Sequence, residues 1–355
     1  MNRVAAALAG LLVMSTLAGA ASGREAPRSG LRPVTLNKKV GYVDRRGRVV
    51  IEPRFDDGDA FAEGRAAVRV RGKYGYIDAG GRLVIPPRFD YAWRFSEGLA
   101  AVEVGNKRGY VGRNGAWVIR PKYEGADVFS EGLARTKLGG RWGFIDRTGR
   151  QVINLPFDLG PDLSASGVVP VGRFQEGLAP ITIGGEGGKV GYLDRRGRFA
   201  IGARFDGADY FSEGLASVKV DGKWGYIDKS GREVIPYSFD TAGPFSEGLA
   251  PVQVRDKWGY IDRSGAVVVE PQFESAWPFS EGLAHVEAGG KSFFIDKTGR
   301  VVTAMRFDDA DQFYEGAAAV RVGDKWGFVD RSFNLLAPTR FDATFLYSLS
   351  LATRK

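Results

Sequence analysis

Eight glutamates recur in the motif Phe-x-Glu-Gly, at Glu63, Glu97, Glu131, Glu176, Glu213, Glu247, Glu281 and Glu315. Carboxylates repeated so evenly could form an array of ligand sites. They suit equally a structural task, accepting backbone N–H groups at the turn before each glycine and holding the next strand in register. A second row of carboxylates, Asp44, Asp78, Asp146, Asp194, Asp228, Asp262 and Asp296, invites a calcium reading. Each of these stands alone beside basic residues, three positions before a glycine, which is the pattern of a turn-forming Asp. A catalytic carboxylate pair should break the repeat, because chemistry needs one special site. The local break lies between Asn154 and Lys189, where Asp162 and Glu186 depart from the pattern and Asp158 follows it. The chain has one His, His285, and no Cys. These counts exclude thiolate chemistry and disulfides and leave no His-based metal set. His285 makes a Ser-His-Asp triad conceivable, but Ser217, Pro251 and Ala101 occupy its place in other units, so it reads as a variable position. There is no phosphate loop, no Gly-x-Ser-x-Gly and no His-Glu-x-x-His. No cofactor and no metal is expected.

The elements that position these residues come from one repeated stretch. Its clearest copy is Lys223-Trp224-Gly225-Tyr226-Ile227-Asp228-Lys229-Ser230-Gly231, and its aromatic residue recurs at 42, 76, 110, 144, 192, 226, 260, 294 and 328. The step is 34 residues except from Phe144 to Tyr192, where it is 48. Such a period is the signature of a repeat architecture. Within a unit, Leu215 to Val220 is rich in β-branched residues and reads as a strand. Asp221-Gly222 suits a two-residue hairpin turn at positive φ. Lys223 to Ile227 forms the second strand, with Trp224 and Tyr226 on one face and Gly225 open to a close neighbour. Asp228 to Gly231 is a second turn, Arg232 to Ile235 the third strand, and Pro236 stops the ladder. A connecting segment follows, in which the spacing of Phe205, Ala208 and Phe211 suggests one helical turn.

A 34-residue meander has apolar residues on both faces and cannot bury a core alone, so successive units must cover one another. The expected fold is therefore all-β, a tandem array of nine three-stranded meanders in which the repeated Trp lies between neighbours. The open, superhelical, solenoid-like arrangement is preferred, with a closed propeller-like ring as the alternative. The first unit shows no clear strand before Val40, and the last ends at Tyr347 to Ala352, an altered Phe-Ser-Glu-Gly-Leu-Ala.

Residues 1–20 read as a signal peptide: Arg3, an apolar run from Val4 to Leu17, and the small residues Ala18-Gly19-Ala20. The run is too short and too rich in Ala and Gly for a membrane span, and Ala20 stands where a lipoprotein would need Cys. Residues 21–38 read as a flexible leader, 39–355 as the array, with the insertion around 154–189. The protein is expected to be exported, periplasmic or extracellular, with no membrane span after signal removal. The net charge of +8 is scattered in mixed pairs. That pattern argues against a nucleic-acid partner and leaves an acidic envelope surface open.

Trp142-Gly143-Phe144-Ile145-Asp146, Trp224-Gly225-Tyr226-Ile227-Asp228, Trp258-Gly259-Tyr260-Ile261-Asp262 and Trp326-Gly327-Phe328-Val329-Asp330, with Phe-Ser-Glu-Gly-Leu-Ala between copies, resemble the WG-repeat family. The resemblance spans about residues 39–355. Trp is replaced by Val40, Tyr74, Arg108, Val190 and Ser292, and Gly by Phe293. It implies β-rich bacterial repeats, often exported, of variable copy number and with no agreed biochemical activity. Variable copy number favours an open array.

Two functional expectations follow. One is a non-enzymatic exported binding or scaffolding protein of the bacterial cell envelope, whose partner is a protein or an envelope polysaccharide. The alternative is a carboxylate-dependent hydrolase or glycan-processing enzyme using the 154–189 insertion. A ligand would touch the position that varies most between units: Asp59, Trp93, Asp127, Asp209, Gly243, Trp277 and Asp311. A place that accepts Asp, Gly and Trp is not core, so Trp93 and Trp277 are expected to be partly exposed and are the candidate ligand-binding residues. The bland alternative is that each covers a local gap between units.

Overall fold

The computed structural model describes residues 30–155, 171–184 and 187–344. Among these there is no helix, and the strands form nine small antiparallel sheets. The regular sheet has four strands, which we call a to d in chain order. In one example they are Gly207–Ala208, Leu215–Val220, Lys223–Asp228 and Glu233–Phe239. The three-stranded meander is therefore corrected to four strands in most units. Strand a is only two residues long, but its register is fixed, Gly207 opposite Lys219 and Ala208 opposite Val218.

The expected helical turn is corrected at the same place. Residues 207–208 are strand a, and Ser212 and Leu215 exchange backbone hydrogen bonds across Glu213-Gly214. Both turn residues have positive φ, 53° and 82°, the signature of a two-residue type I′ hairpin. Phe-x-Glu-Gly thus encodes a hairpin between strands a and b, with Glu rather than Asn or Asp in its first left-handed position. The b–c turn behaves as expected, with Asp221 and Gly222 at φ 48° and 82°. Gly225 is also required: a Cβ there would lie 2.6 Å from the Ile235 carbonyl oxygen on strand d.

The chain divides into two compact units. In the unit of residues 155–304, four sheets follow one another in sequence. Its cores are shared by consecutive sheets: Tyr226 and Ile235 pack with Phe245, Val252 and Ile261, and Trp258 and Tyr260 pack with Phe279, Val286 and Ile295. The unit formed by residues 24–154 and 305–348 holds five sheets. Here the first and last of the described strands meet. Arg32–Leu36, read from sequence as flexible leader, is a b strand, and the a strand beside it is Ala343–Thr344. Val34 and Thr35 pair with Thr344 and Ala343, and Asp342 accepts the Asn37 N–H at 2.8 Å. First and last strands sharing one sheet is the closure of a propeller-like fold. The closed alternative therefore replaces the open superhelical array. Sequence missed the closing strand because Arg-Pro-Val-Thr-Leu lacks the Phe-x-Glu-Gly hairpin that announces strand b elsewhere.

Trp258, Trp224 and Trp326 lie in cores shared by two sheets, Trp258 buried and the other two partly buried, and Trp142 is buried as well. The firmest joint, however, is the Tyr two positions later. Tyr42, Tyr76, Tyr110, Tyr192, Tyr226 and Tyr260 are fully buried. Each sets its ring on the Phe of the next Phe-x-Glu-Gly, at 4.9–5.0 Å between centroids. Aromatic pairs at this spacing contribute about 0.5–1.5 kcal/mol beyond area burial. Burial pushes these hydroxyls far above the usual tyrosine range, so they remain donors. Every one donates to a backbone carbonyl of the next sheet: Asp59, Trp93, Asp127, Asp209, Gly243 or Trp277.

Candidate functional site

The three rows of repeated carboxylates have three structural tasks. In the c–d turn, Asp228 Oδ1 accepts the Ser230 and Arg232 N–H groups and the Ser230 hydroxyl, and the same geometry recurs from Asp44 to Asp330. The Ser230 hydroxyl, then the backbone donors, pull the Asp228 carboxyl down to about 2, and Thr148 does the same for Asp146. A third row, the acid that follows the aromatic residue ending strand d as in Phe55-Asp56, Phe89-Asp90 and Phe205-Asp206, receives the backbone of the next b–c hairpin, as in Arg71 N–H to Asp56, Gly105 to Asp90 and Asp221 to Asp206. A Lys of the preceding sheet closes the same contact, Lys39 on Asp56 and Lys223 on Asp240. The glutamates of the a–b hairpin reach forward one repeat. Glu63, Glu97, Glu176, Glu213 and Glu247 accept the N–H of Gly98, Gly132, Gly214, Gly248 and Gly282 at 2.9–3.0 Å. Sequence expected this glutamate to bind a turn amide before Gly; the amide is that of the next unit's glycine. Arg113, Lys229, Lys297 and Arg45 complete the contact on Glu63, Glu176, Glu247 and Glu315. Among the described residues, no group of three or more His, Asp or Glu could hold a metal. Asp158, Asp162 and Glu186 lie outside the described residues.

The variable position is the third residue counted from the start of strand a: it follows the strand where that has two residues, as at Trp277, and lies within it at Trp93, where the strand runs Tyr91–Ser96. Its backbone is fixed on both sides. In one sheet the Trp277 N–H donates to the His285 carbonyl at 3.1 Å, and the Trp277 carbonyl accepts the Tyr260 hydroxyl at 2.8 Å. The joint to the preceding sheet is made by the backbone, so the side chain can change; where it is Asp, its carboxylate accepts the N–H of the next residue, as Asp59 does from Ala60 and Asp209 from Tyr210. Trp93 and Trp277 are both partly exposed, as the variability predicts.

Their neighbours follow a rule that single positions do not reveal. In the four sheets that keep Trp142, Trp224, Trp258 or Trp326, the variable position is Asp127, Asp209, Gly243 or Asp311. The sheets with Trp93 and Trp277 instead carry Arg108 and Ser292 at the repeat's Trp position. The indole has moved across the same sheet face. The residue facing the lost Trp on strand b is also unusual, Glu103 opposite Arg108 and Glu287 opposite Ser292. Lys137, Lys219, Gln253 and Arg321 hold that register in the other four. This coupling was legible by aligning the units column against column; reading one column at a time concealed it.

The two relocated indoles have different surroundings. The Arg108 guanidinium lies 4.5 Å over the Trp93 ring and pairs with Glu103 at 2.9 Å. Tyr91 meets Trp93 edge-on at 4.4 Å and also touches Tyr74, whose hydroxyl bonds the buried Asp57 carboxylate at 2.7 Å. Trp277 instead lies parallel to the His285 imidazole, 4.1 Å away with 13° between planes. His285 is 2% exposed, its Nε2 has no hydrogen-bond partner, and burial pushes its pKa down to about 3. His285 is thus a variable position, as expected, but one that is core in this sheet. Among the described residues no cation lies over the Trp277 ring.

Comparison with known proteins agrees with the repeat. The chain is similar in fold to a crystal structure of the eukaryotic initiation factor, with a TM-score of 0.62 at 10% identity, covering 91% of this chain and 98% of that one. Dihydro-heme d1 dehydrogenase NirN in complex with DHE gives a TM-score of 0.49 at 11% identity, covering 91% and 75%. Hsv2 of Kluyvelomyces marxianus gives 0.41 at 9% identity, covering 66% and 89%. At such identity the first likeness is one of fold alone. No curated protein matches the sequence. The family model for the WG containing repeat matches residues 41–74, 74–107, 109–142, 191–224, 224–258, 258–291 and 293–326. With seven matches in phase over most of its length, the chain belongs to the WG-containing repeat family.

Proposed function

We propose that this is a non-enzymatic, exported binding or scaffolding protein of the bacterial cell envelope, which holds a protein or polysaccharide at the variable position where Trp93 and Trp277 stand. One observation carries the reading. The acids of the c–d turns, those that follow strand d, and Glu63, Glu97, Glu176, Glu213, Glu247 and Glu315 serve as backbone acceptors or ion-pair partners, while the variable position takes Asp, Gly or Trp on one backbone path. A surface built this way changes its ligand contacts without changing its fold. Export is supported by the N-terminal sequence, with its short basic start, apolar run and small-residue end. No helix of the described residues is long and apolar enough to cross a membrane.

The test is retention of envelope extract components on immobilised protein, with release of products assayed in parallel. Wild type is expected to retain a component that the Trp93→Ala, Trp277→Ala double variant loses while melting as a folded protein. Retention that survives the double substitution overturns the reading. Turnover of a cell-wall or polysaccharide fragment, abolished by Asp162→Asn or Glu186→Gln, would establish the hydrolase alternative instead.

A further inference from the structure

We infer that the face of Trp277 opposite His285 is a stacking site for the C–H face of a pyranose ring, with His285 as its positioning residue. The inference rests on the binding reading above and names the ligand class for one of its two positions.

The indole is held as few surface indoles are. Its backbone is bonded on one side to strand b and on the other to the preceding sheet through Tyr260. Its ring lies flat on a buried imidazole that itself rests against Phe294, 5.9 Å between centroids. His285 covers one face of the ring, and Trp277 as a whole is partly exposed. An immobilised flat aromatic loses little entropy on binding, which is the condition for a weak stacking contact to yield affinity.

The electrostatics favour an uncharged partner face. Cations cover other indoles of this chain: Arg108 on Trp93, Arg135 and Lys137 on Trp142, Arg321 on Trp326. Trp277 has only the imidazole, neutral at physiological pH, so its π density is unspent. Polar groups flank it on the same sheet face. Ser275, Glu287 and Ser292 are in register across strands a, b and c. Glu287 is half-buried, and the Ser292 hydroxyl stands 3.5 Å from its carboxylate. Ser292 is fully buried, so it is the half-buried Glu287 carboxylate, beside a flat apolar ring, that suits the edge hydroxyls of a sugar whose C–H face covers the indole. At Trp93 the guanidinium and Tyr91 already occupy the ring, so that position is not the sugar site.

The experiment is calorimetric titration of the full chain with chitohexaose, cellohexaose and maltohexaose. At least one should bind. Trp277→Ala should weaken it by about tenfold or more, as loss of an anchoring aromatic does. Trp277→Phe should recover part of the loss, and Trp117→Ala, a partly buried Trp on a d strand of another sheet, should leave binding intact. His285→Phe keeps a flat ring beneath the indole and should preserve binding, whereas His285→Ala should weaken it. A role of His285 in stability alone would lower the folded fraction of His285→Ala, read as fewer binding sites, and leave the affinity per folded site equal in the two variants. If Trp277→Ala does not fold, the wild type labelled with 5-fluorotryptophan decides, because the resonance removed by Trp277→Phe must shift on adding the sugar. Absence of binding to all three sugars, or binding indifferent to Trp277, overturns the inference. If Trp277→Ala then still abolishes retention of a protease-sensitive extract component, the site takes a protein and the wider binding reading survives.

Discussion

The sheets of residues 91–123 and 275–301 share one departure from the repeat and resolve it in different ways. Both have lost the Trp of strand c and gained one at the third position counted from the start of strand a. Each relocated indole rests against a planar nitrogen group. In the first sheet that group is the Arg108 guanidinium, a fixed charge with Glu103 as counter-ion. In the second it is the His285 imidazole, delivered from the neighbouring strand, uncharged and buried. The same packing problem thus has a salt-sensitive answer and a pH-sensitive one. The difference also leaves one indole against a charge and the other against a neutral ring.

The largest expected effect tests whether a relocated Trp is still core. Trp258, in its regular place, is 5% exposed, and Trp258→Ala should cost about 3–5 kcal/mol, the range for a buried large aromatic. Trp277 is partly exposed, so Trp277→Ala should cost about 2 kcal/mol, at or below the lower end of that range. Denaturant unfolding of both variants measures the pair. Equal losses would make Trp277 an ordinary core residue and remove the stacking site with it.

The second effect separates the imidazole from the guanidinium by pH. The folded pKa of His285, about 3, lies below its ordinary value of 6.5 because burial disfavours the charged form. Between these values the unfolded chain binds a proton that the folded chain refuses. Stability contributed by the neutral imidazole is complete above pH 6.5 and falls as pH drops towards 3. The slope approaches about 1.4 kcal/mol per pH unit for this one proton. Thermal melts from pH 7 to 4.5 should show this fall in wild type and a shallower one in His285→Leu. Parallel curves would mean that His285 accepts its proton without unfolding.

The repeat made most of the fold legible, and its failures have physical causes. Strands b, c and d announce themselves by β-branched runs, positive-φ turns and proline. Strand a does not, because two residues are too few for a period, and its partner glutamate is a poor turn former by ordinary preference. The spacing of Phe205, Ala208 and Phe211 imitates a helical turn because a short strand followed by a hairpin also returns side chains to one side. Closure was hidden for another reason: Arg32–Leu36 finds its partner more than three hundred residues away, at Ala343–Thr344. At the candidate site, partial exposure of Trp93 and Trp277 was readable from variability alone. The imidazole beneath Trp277 was not, since nothing in a lone His tells whether its neighbours will bury it.

A smaller effect concerns the joint common to regular sheets. Tyr260→Phe removes the hydroxyl that fixes the Trp277 carbonyl and leaves the ring pair with Phe279 intact. It should cost about 1 kcal/mol, the net value of one intramolecular hydrogen bond, plus part of the penalty for a carbonyl left unpaired. The chain carries the same change naturally at Phe144, Phe294 and Phe328. If the Trp277 platform depends on a pinned backbone, Tyr260→Phe should also weaken sugar binding, whereas Tyr226→Phe, which frees Gly243, should not. Equal effects of the two on binding would mean that the hydroxyl acts on global stability alone.

The smallest effect is in the counter-ions. Arg108 and Glu103 have side chains 31% and 22% exposed, so water screens much of their attraction. Glu103→Gln should cost about 0.5–1 kcal/mol at low salt, as partly exposed ion pairs do, and less as salt is raised. Most of the contact between Arg108 and Trp93 should survive, because the guanidinium rests on the ring through its face and keeps its charge. Glu287→Gln is the matched change in the other sheet. No cation stands beside Glu287 among the described residues, so its stability cost should be near zero and independent of salt. The comparison is sharpest in the difference of the two salt dependences, since a general electrostatic response of this basic chain would cancel from it. A salt-dependent loss for Glu287→Gln equal to that for Glu103→Gln would show that Glu287 has a cationic partner in solution. The two sheets would then share one solution to the missing Trp rather than two.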